Sequence, residues 1–258
     1  GQDTIALVKQ LKLPFVLTNL EKVLYPEAGI RKADLIAYYA AVHPLILPHI
    51  ADRPLTLVRC PNGPAGQCFF QKHKNKGVPK CVHGLPIQEN REEYMFVRDL
   101  PGLLALAQLG ALELHTWGSH AADPEHPDKL VFDLDPGPDV PWDSVVDAAV
   151  ELRMRLNDIG LQSFVQTTGG KGLHVIAPLE PQLSWDELKQ VSFQIVQAMA
   201  EEQPDLYLTN MRKSLRKGRI FLDYLRNGRG ATAIVPYSTR ARSHATVATP
   251  LTWDELMD

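Results

Sequence analysis

Two carboxylates stand two residues apart in the stretch LVFDLDPGPDV, Leu130 to Val140. In a strand, successive side chains point to opposite faces, so Val131, Asp133 and Asp135 share one face while Leu130, Phe132 and Leu134 share the other. The two carboxylates then lie roughly 6–7 Å apart at their Cα atoms. Like charges at that range raise each other's pKa unless a cation sits between them. A third carboxylate, Asp223, falls in the alternating stretch RIFLDYL, where Ile220, Leu222 and Tyr224 oppose Phe221 and Asp223. Three carboxylates without matching cysteines or histidine pairs suit hard divalent ions, Mg²⁺ or Mn²⁺, rather than zinc. Two such ions about 3.5–4 Å apart clamp the attacking and leaving oxygens in phosphoryl transfer. Asp-x-Asp alone equally well ends a strand and caps the next helix; the third aspartate on a neighbouring strand favours the metal reading.

The second feature is TTGGKGLHV, Thr167 to Val175. It is neither a Walker loop, because no Ser or Thr follows the lysine, nor a Rossmann fingerprint, because a strand follows the glycines. It offers backbone N–H groups around Gly170 together with Thr168, Lys171 and His174, a nest suited to phosphate oxygens. The bland alternative is a Gly-rich hairpin with an exposed lysine. The third feature is basic: RKSLRKGRIF, which contains Arg216, then RNGRG, then Arg240 and Arg242. Guanidinium groups grip phosphates in bidentate fashion. The stretch FFQKHKNK sets Phe69 and Phe70 beside Lys72, Lys74 and Lys76, a pairing suited to stacking on bases and holding a backbone. Strand alternation predicts that one of the two phenylalanines is core.

The elements that must position these groups follow from periodicity. After the Asp133 strand, Val145, Ala149, Leu152, Leu156 and Ile159 recur at helical spacing up to Gly160. QSFVQTT and LHVIAPL read as strands joined by the GGKG turn. Ser184 and Glu187 form a capping box for a helix carrying Leu188, Val191, Ile195 and Met199. With RIFLDYL the order is β-α-β-β-α-β, the split arrangement of ferredoxin-like and RNA-recognition folds, in which the first strand lies between the third and the fourth. His174 and Asp223 are therefore expected to flank Asp133 on one sheet face. Earlier in the chain, a helix is expected from about Lys32, strands at RPLTLVRC and QCFFQKH, a short apolar helix at LPGLLALAQLG and a strand at LELHTWGS.

With 258 residues and 45% hydrophobic composition, the chain can bury a core as one large domain or two small ones. Its net charge of −3 is uninformative, but the distribution is lopsided. Asp123 to Glu151 holds nine acidic residues and one basic one; Arg212 to Arg242 holds nine basic and one acidic. Cys60, Cys68 and Cys81 show no CxxC pair, and with His73 and His83 they match no standard zinc spacing. The expectation is no disulfide framework, in a reduced cytoplasmic, nucleoid-associated setting. No apolar run reaches spanning length, so no membrane is expected. The chain begins without Met, as an excised or trimmed piece would.

Taken together, DLDP, TTGGKGLHV and IFLDYLRNGRGATAIVPYSTRAR, with LEKVLYP, CFFQKH and ELHTWGS around them, resemble the motifs of the polymerase domain of bacterial ligase D, in the archaeo-eukaryotic primase superfamily. The likeness covers nearly the whole chain. It implies an α+β fold with an RRM-like catalytic sheet and an additional N-terminal α/β part. It also implies one catalytic domain over 1–258, with 1–110 meeting DNA ends and 111–258 catalytic. The activity implied is template-directed nucleotidyl transfer that extends DNA ends and fills gaps in non-homologous end joining, with a preference for ribonucleotides. By motif position, Asp133, Asp135 and Asp223 would hold two ions, Mn²⁺ or Mg²⁺. Thr168, Gly170, Lys171 and His174 would grip an NTP or dNTP, with His115 and Arg240 assisting. Asn19, Lys22 and Lys32 match positions that bind the 5′-phosphate of a DNA end; Phe69 and Phe70 match aromatics that stack near the template, with Lys72 and Arg216 as further DNA contacts. The partners implied are DNA ends and nucleoside triphosphates, with room for a Ku-type end binder and a ligase module. Thr168 stands where the family usually has serine.

Two other readings compete. A metal-dependent nuclease or phosphatase would use the same acidic triad but leaves the cationic glycine turn unexplained. A non-catalytic end-binding module of RNA-recognition type would carry aromatics, not aspartates, on its central strands.

Overall fold

The computed structural model describes residues 3–87 and 91–258. Its contacts divide the chain into two compact units. The first extends to Thr116 and takes in Ile234–Ala248; the second comprises Trp117–Ala233 and Thr249–Asp258. The division differs from the expected step at 110/111. Residues 111–116 pair with a strand of the first unit, and a late segment of the chain returns to that unit as well.

In the first unit, α1 (Asp3–Lys9) precedes the short pair β1 (Val23–Tyr25) and β2 (Ile30–Arg31), then α2 (Lys32–Ile50). Helix α2 starts where expected. Asp34 at its third position accepts from the Arg31 amide at 2.8 Å, a cap that the spacing alone did not reveal. There follow β3 (Leu55–Arg59), β4 (Phe69–Gln71), the hairpin β5 (His83–Pro86) with β6 (Glu93–Phe96), α3 (Leu100–Gln108) and β7 (Ala111–Thr116). Helix α3 begins with a cap from Asp99, whose Oδ1 accepts from the Gly102 amide. Leu55, Leu57, Leu104, Leu106, Leu112 and Tyr39 are fully buried between the helices and the sheet.

The second unit has β8 (Lys129–Pro136), α4 (Trp142–Asp158), β9 (Phe164–Thr167), β10 (Leu173–Pro178), α5 (Trp185–Glu202), β11 (Tyr207–Leu208) and β12 (Ile220–Asp223). The strand β13 (Ala233–Ile234) then joins the four-stranded sheet of order β13-β7-β3-β4, and β14 (Pro250–Leu251) and α6 (Trp253–Met257) close the chain. The six-stranded sheet runs β11-β12-β8-β10-β9-β14, so β8 lies between β10 and β12 as the split topology requires. The edge strands β11 and β14 are additions to the expected four. Leu130, Phe132 and Leu134 pack with Val145, Ala149, Leu152 and Leu156 of α4 and Leu188 of α5. Each of these buried Leu, Val and Phe side chains stabilises by about 1.5–3 kcal/mol. The opposite face is left for the carboxylates.

Three expectations need correction. Ile159 is 54% exposed because α4 ends at Asp158 and Ile159 is its C-cap. In α5 the buried stripe is Leu188, Ser192, Val196 and Met199, a phase displaced from Val191 and Ile195. Cys60 and Cys68 are disulfide-bonded, leaving Cys81 free. Extending the β3–β4 register of Arg59 with Phe69 by one residue sets these two cysteines directly opposite each other, a pairing that a search for CxxC spacing does not detect.

Candidate active site

Antiparallel pairing aligns four polar side chains in a single row across the second unit's sheet. Asp223 on β12 is paired with Asp133 on β8, Asp133 with His174 on β10, and His174 with Gln166 on β9. Directly paired residues point to the same face, so the row lies on the face away from the helices. Asp135, two residues along β8, shares that face and is paired with Phe221. Nε2 of His174 is 3.5 Å from Oδ2 of Asp133, and Nδ1 of His174 is 3.4 Å from Nε2 of Gln166. Gln166, His174 and Asp223 are all buried.

Two arginines contact the carboxylates of this face. Arg216 Nη1 is 2.5 Å from Asp135 Oδ2, its Nη2 donates to the Met211 carbonyl, and its guanidinium lies 4.5 Å over the Phe221 ring. Gly137 lets this segment approach: a Cβ there would collide with the Arg216 backbone. Arg226 reaches Asp133 Oδ2 at 3.4 Å through Nη2 and Asp223 Oδ2 at 3.5 Å through Nε. The carboxyls respond differently. Burial pushes Asp135 upward, reinforced by the charge of Asp133. Burial also raises Asp223 against the pull of Arg226 and the Leu225 amide. For Asp133, burial works in the same direction, but His174 and Arg226 prevail and hold it below the ordinary carboxylate range.

The donor set fits hard divalent ions: three carboxylates share one face, and burial holds two of them above the ordinary range, which a bound cation would reverse. Among the described residues, no three His, Cys, Asp or Glu side chains are gathered closely enough to hold a metal ion as they stand. The guanidiniums of Arg216 and Arg226 contact oxygens of all three carboxylates.

The turn between β9 and β10 carries Thr168, Gly169, Gly170 and Lys171, with Gly169 at φ +76°. Gly170 and Lys171 are exposed, and Thr168 is buried, its Oγ1 3.5 Å from the Gly172 carbonyl. A Cβ at Gly172 would strike the Leu134 carbonyl, so glycine lets β10 come close to β8 beside Asp133. A cavity of about 460 Å³ lies beside the turn, lined by Gly170, Lys171, Pro136, Gly137 and Trp142. His174 is not at the rim of the turn: it is 4% exposed and engaged with Asp133.

The first unit holds the remaining predicted residues. Asn19 takes up a left-handed φ of 54° and its carbonyl accepts from the Lys22 amide; the Lys22 carbonyl accepts from the Lys32 amide. Lys32 is buried, and that burial, together with the charges of Lys22 and Arg59, lowers its pKa. Both Phe69 and Phe70 are exposed, at 43% and 70%, contrary to the expectation that one is core; β4 is an edge strand too short to be covered. Arg59 lies 5.2 Å over the Phe69 ring, and Lys72 follows in solvent. His115 and Arg240 converge on one carboxylate, Glu113: His115 Nε2 is 2.9 Å from Oε1, and Arg240 Nε donates to Oε2 at 2.9 Å. Burial would raise Glu113, but the hydrogen bonds from His115 and the Ala241 amide, with the charge of Arg240, bring it down to about 2.

Sequence reasoning singled out neither Arg226, Arg59, Glu113 nor Gln166. Arg226 and Glu113 sit inside the quoted motifs RNGRG and ELHTWGS, three residues from Asp223 and two from His115 respectively. Gln166 carried a signal too, since it occupies the strand position whose parity matches His174.

Residues 31–258 match the family model described as LigD, primase-polymerase domain. The multifunctional non-homologous end joining protein LigD of Mycolicibacterium smegmatis is 37% identical over 246 residues, which cover 94% of this chain and 32% of that protein. Its counterpart from Pseudomonas aeruginosa is 35% identical over 242 residues, covering 93% of this chain and 29% of that protein. The chain thus spans about a third of the length of these relatives. Among solved structures, the polymerase domain from Mycobacterium tuberculosis ligase D, in complex with DNA, superposes with a TM-score of 0.89 at 36% identity, covering 96% of this chain and 90% of that one.

Proposed function

The chain belongs to the LigD primase-polymerase domain family and is a nucleotidyltransferase domain of the archaeo-eukaryotic primase fold; from that premise we propose that it extends DNA ends and fills gaps during non-homologous end joining, with ribonucleotides preferred. The observation that carries this reading is the shared face of Asp133, Asp135 and Asp223. These three would hold two divalent ions, Mn²⁺ or Mg²⁺, which when bound polarise phosphoryl oxygens and favour the deprotonated form of an attacking hydroxyl.

The protein's own groups supply the rest. The exposed turn at Gly170 and Lys171 offers amides and an ammonium to the triphosphate, and the Thr168 hydroxyl lies at its base. Arg216 and Arg226 offset part of the charge of the acidic face and can turn to phosphates when a metal takes the carboxylates. His115 and Arg240, both held by Glu113, keep the nucleotide-binding part that the family motif assigns them. Asn19, Lys22 and the buried Lys32 form the candidate 5′-phosphate site, since a bound phosphate favours the charged form of Lys32 that burial and the charges of Lys22 and Arg59 disfavour. Phe69 and Phe70 present faces to template bases, with Lys72 beside them. The partners proposed are DNA ends, nucleoside triphosphates, a Ku-type end binder and a ligase module. Among the described residues no helix is long and apolar enough to cross a membrane.

The deciding experiment is extension on a gapped duplex with a recessed 5′-phosphate, comparing ribo- and deoxynucleotides in Mn²⁺ and Mg²⁺. Lengthening, greater with ribonucleotides, is expected. Shortening of the labelled strand would instead identify a nuclease.

A further inference from the structure

Gln166 is an uncharged amide, 1% exposed, in a sheet row otherwise made of His174 and the carboxylates assigned to the metal site. A buried amide is costly unless its polar atoms are used, so its position calls for a reason. Its Nε2 stands 3.4 Å from Nδ1 of His174, while the other ring nitrogen, Nε2, faces Asp133 Oδ2 at 3.5 Å. An amide NH₂ only donates, so the Nδ1 it addresses presents a lone pair. In the neutral ring the hydrogen then sits on Nε2, pointing at Asp133. Strand pairing enforces the arrangement. Gln166, His174 and Asp133 are direct cross-strand partners, whereas Phe164, the next β9 residue on that face, is paired with Ile176.

We propose that Gln166 is a positioning residue: by donating to Nδ1 it holds His174 with its hydrogen on Nε2, and the imidazole so fixed orients the Asp133 carboxylate. The inference rests on the metal-binding part assigned above to Asp133. Groups that orient a ligand in this way are worth roughly 10–100-fold in metal affinity or activity.

The test reads the ring directly. Long-range ¹H–¹⁵N correlation spectra of the metal-free protein are recorded at about pH 8, above the ordinary imidazole range, with His174 identified by its loss in His174→Phe. The wild type should show hydrogen on Nε2 and a lone pair on Nδ1. Gln166→Leu, of similar volume but without a donor, should give a mixture of tautomers. Gln166→Glu, an acceptor, should draw the hydrogen to Nδ1, and it carries the test if the leucine variant fails to fold. In single-nucleotide extension, both variants should lower kcat by roughly tenfold, and thermal unfolding should shift little. Hydrogen on Nδ1 in the wild type, a ring unchanged by both substitutions, or an unchanged kcat would each overturn the proposal. The tautomer is read without metal, nucleotide or DNA. It therefore stays separate from the extension test on Asp133→Ala, whose survival would remove the polymerase reading and leave the ring untouched.

Discussion

Arg216 closes on Asp135: one guanidinium nitrogen lies 2.5 Å from the carboxylate, and the group is stacked on Phe221, the residue paired with Asp135 across the strands. A divalent ion that binds Asp135 has to displace this contact. Arg216→Ala should therefore tighten Mn²⁺ binding in the absence of DNA, by roughly three- to tenfold for one lost charge-assisted hydrogen bond. Titration calorimetry on the DNA-free protein measures it, and equal or weaker binding would rule out competition.

Asp133→Ala and Asp223→Ala should abolish extension, by at least about a thousandfold, since metal stabilisation of the transferring phosphoryl group amounts to several kcal/mol. DNA binding should stay nearly intact, because neither carboxylate is among the groups assigned to DNA contact. Primer extension beside a gel-shift assay separates the two effects. Activity within severalfold of wild type would refute the assignment.

Glu113 makes stability acid-sensitive in a defined window. Its carboxyl is held at about 2 in the fold against an ordinary 4.5. A depressed carboxyl contributes stability fully above the unfolded value, and that contribution is lost as pH falls from 4.5 toward 2. Its size is about 3 kcal/mol, taking roughly 1.4 kcal/mol per unit. Glu113→Gln should be less stable at neutral pH and lose that part of the acid dependence. Denaturant midpoints from pH 7 to 2.5 give the comparison; parallel curves for the two proteins would show that the network contributes nothing.

Phe70, at 70% exposure, has little packing to lose. Phe70→Ala should weaken binding to DNA with a single-stranded template by roughly tenfold, within the 1–3 kcal/mol that stacking on one base supplies. Its unfolding temperature should barely move. Unchanged affinity would take Phe70 out of the template contact.

Lys22→Ala should weaken binding only when the downstream end carries a 5′-phosphate. Fluorescence anisotropy on phosphorylated and unphosphorylated gapped duplexes separates the cases, and equal weakening of both would count against the site.

What was legible in the sequence was whatever strand parity and chain order determine. Asp133 and Asp135 had to share a face, and the split topology had to bring His174 and Asp223 to either side. The partners of long side chains were not legible, because Arg216 and Arg226 each have several rotatable bonds and no periodicity fixes their targets. Both phenylalanines are exposed where one is expected in the core, because alternation states which face a residue takes, not whether anything covers that face. The Cys60–Cys68 bond depends on hairpin register, which a cysteine count does not contain.

The first unit is assembled from segments separated by more than a hundred residues. Val235 donates to the Leu114 carbonyl, Tyr38 to the Tyr237 carbonyl, and the Ala241 amide to Glu113. A ribosome delivers Ile234–Ala248 more than a hundred residues after Thr116, so the rest of the first unit emerges long before it has its full set of partners. Maturation of the first unit must wait until the strands β8 to β12 of the second have been made, and a premature stop near residue 233 would leave both units incomplete rather than one finished and one missing.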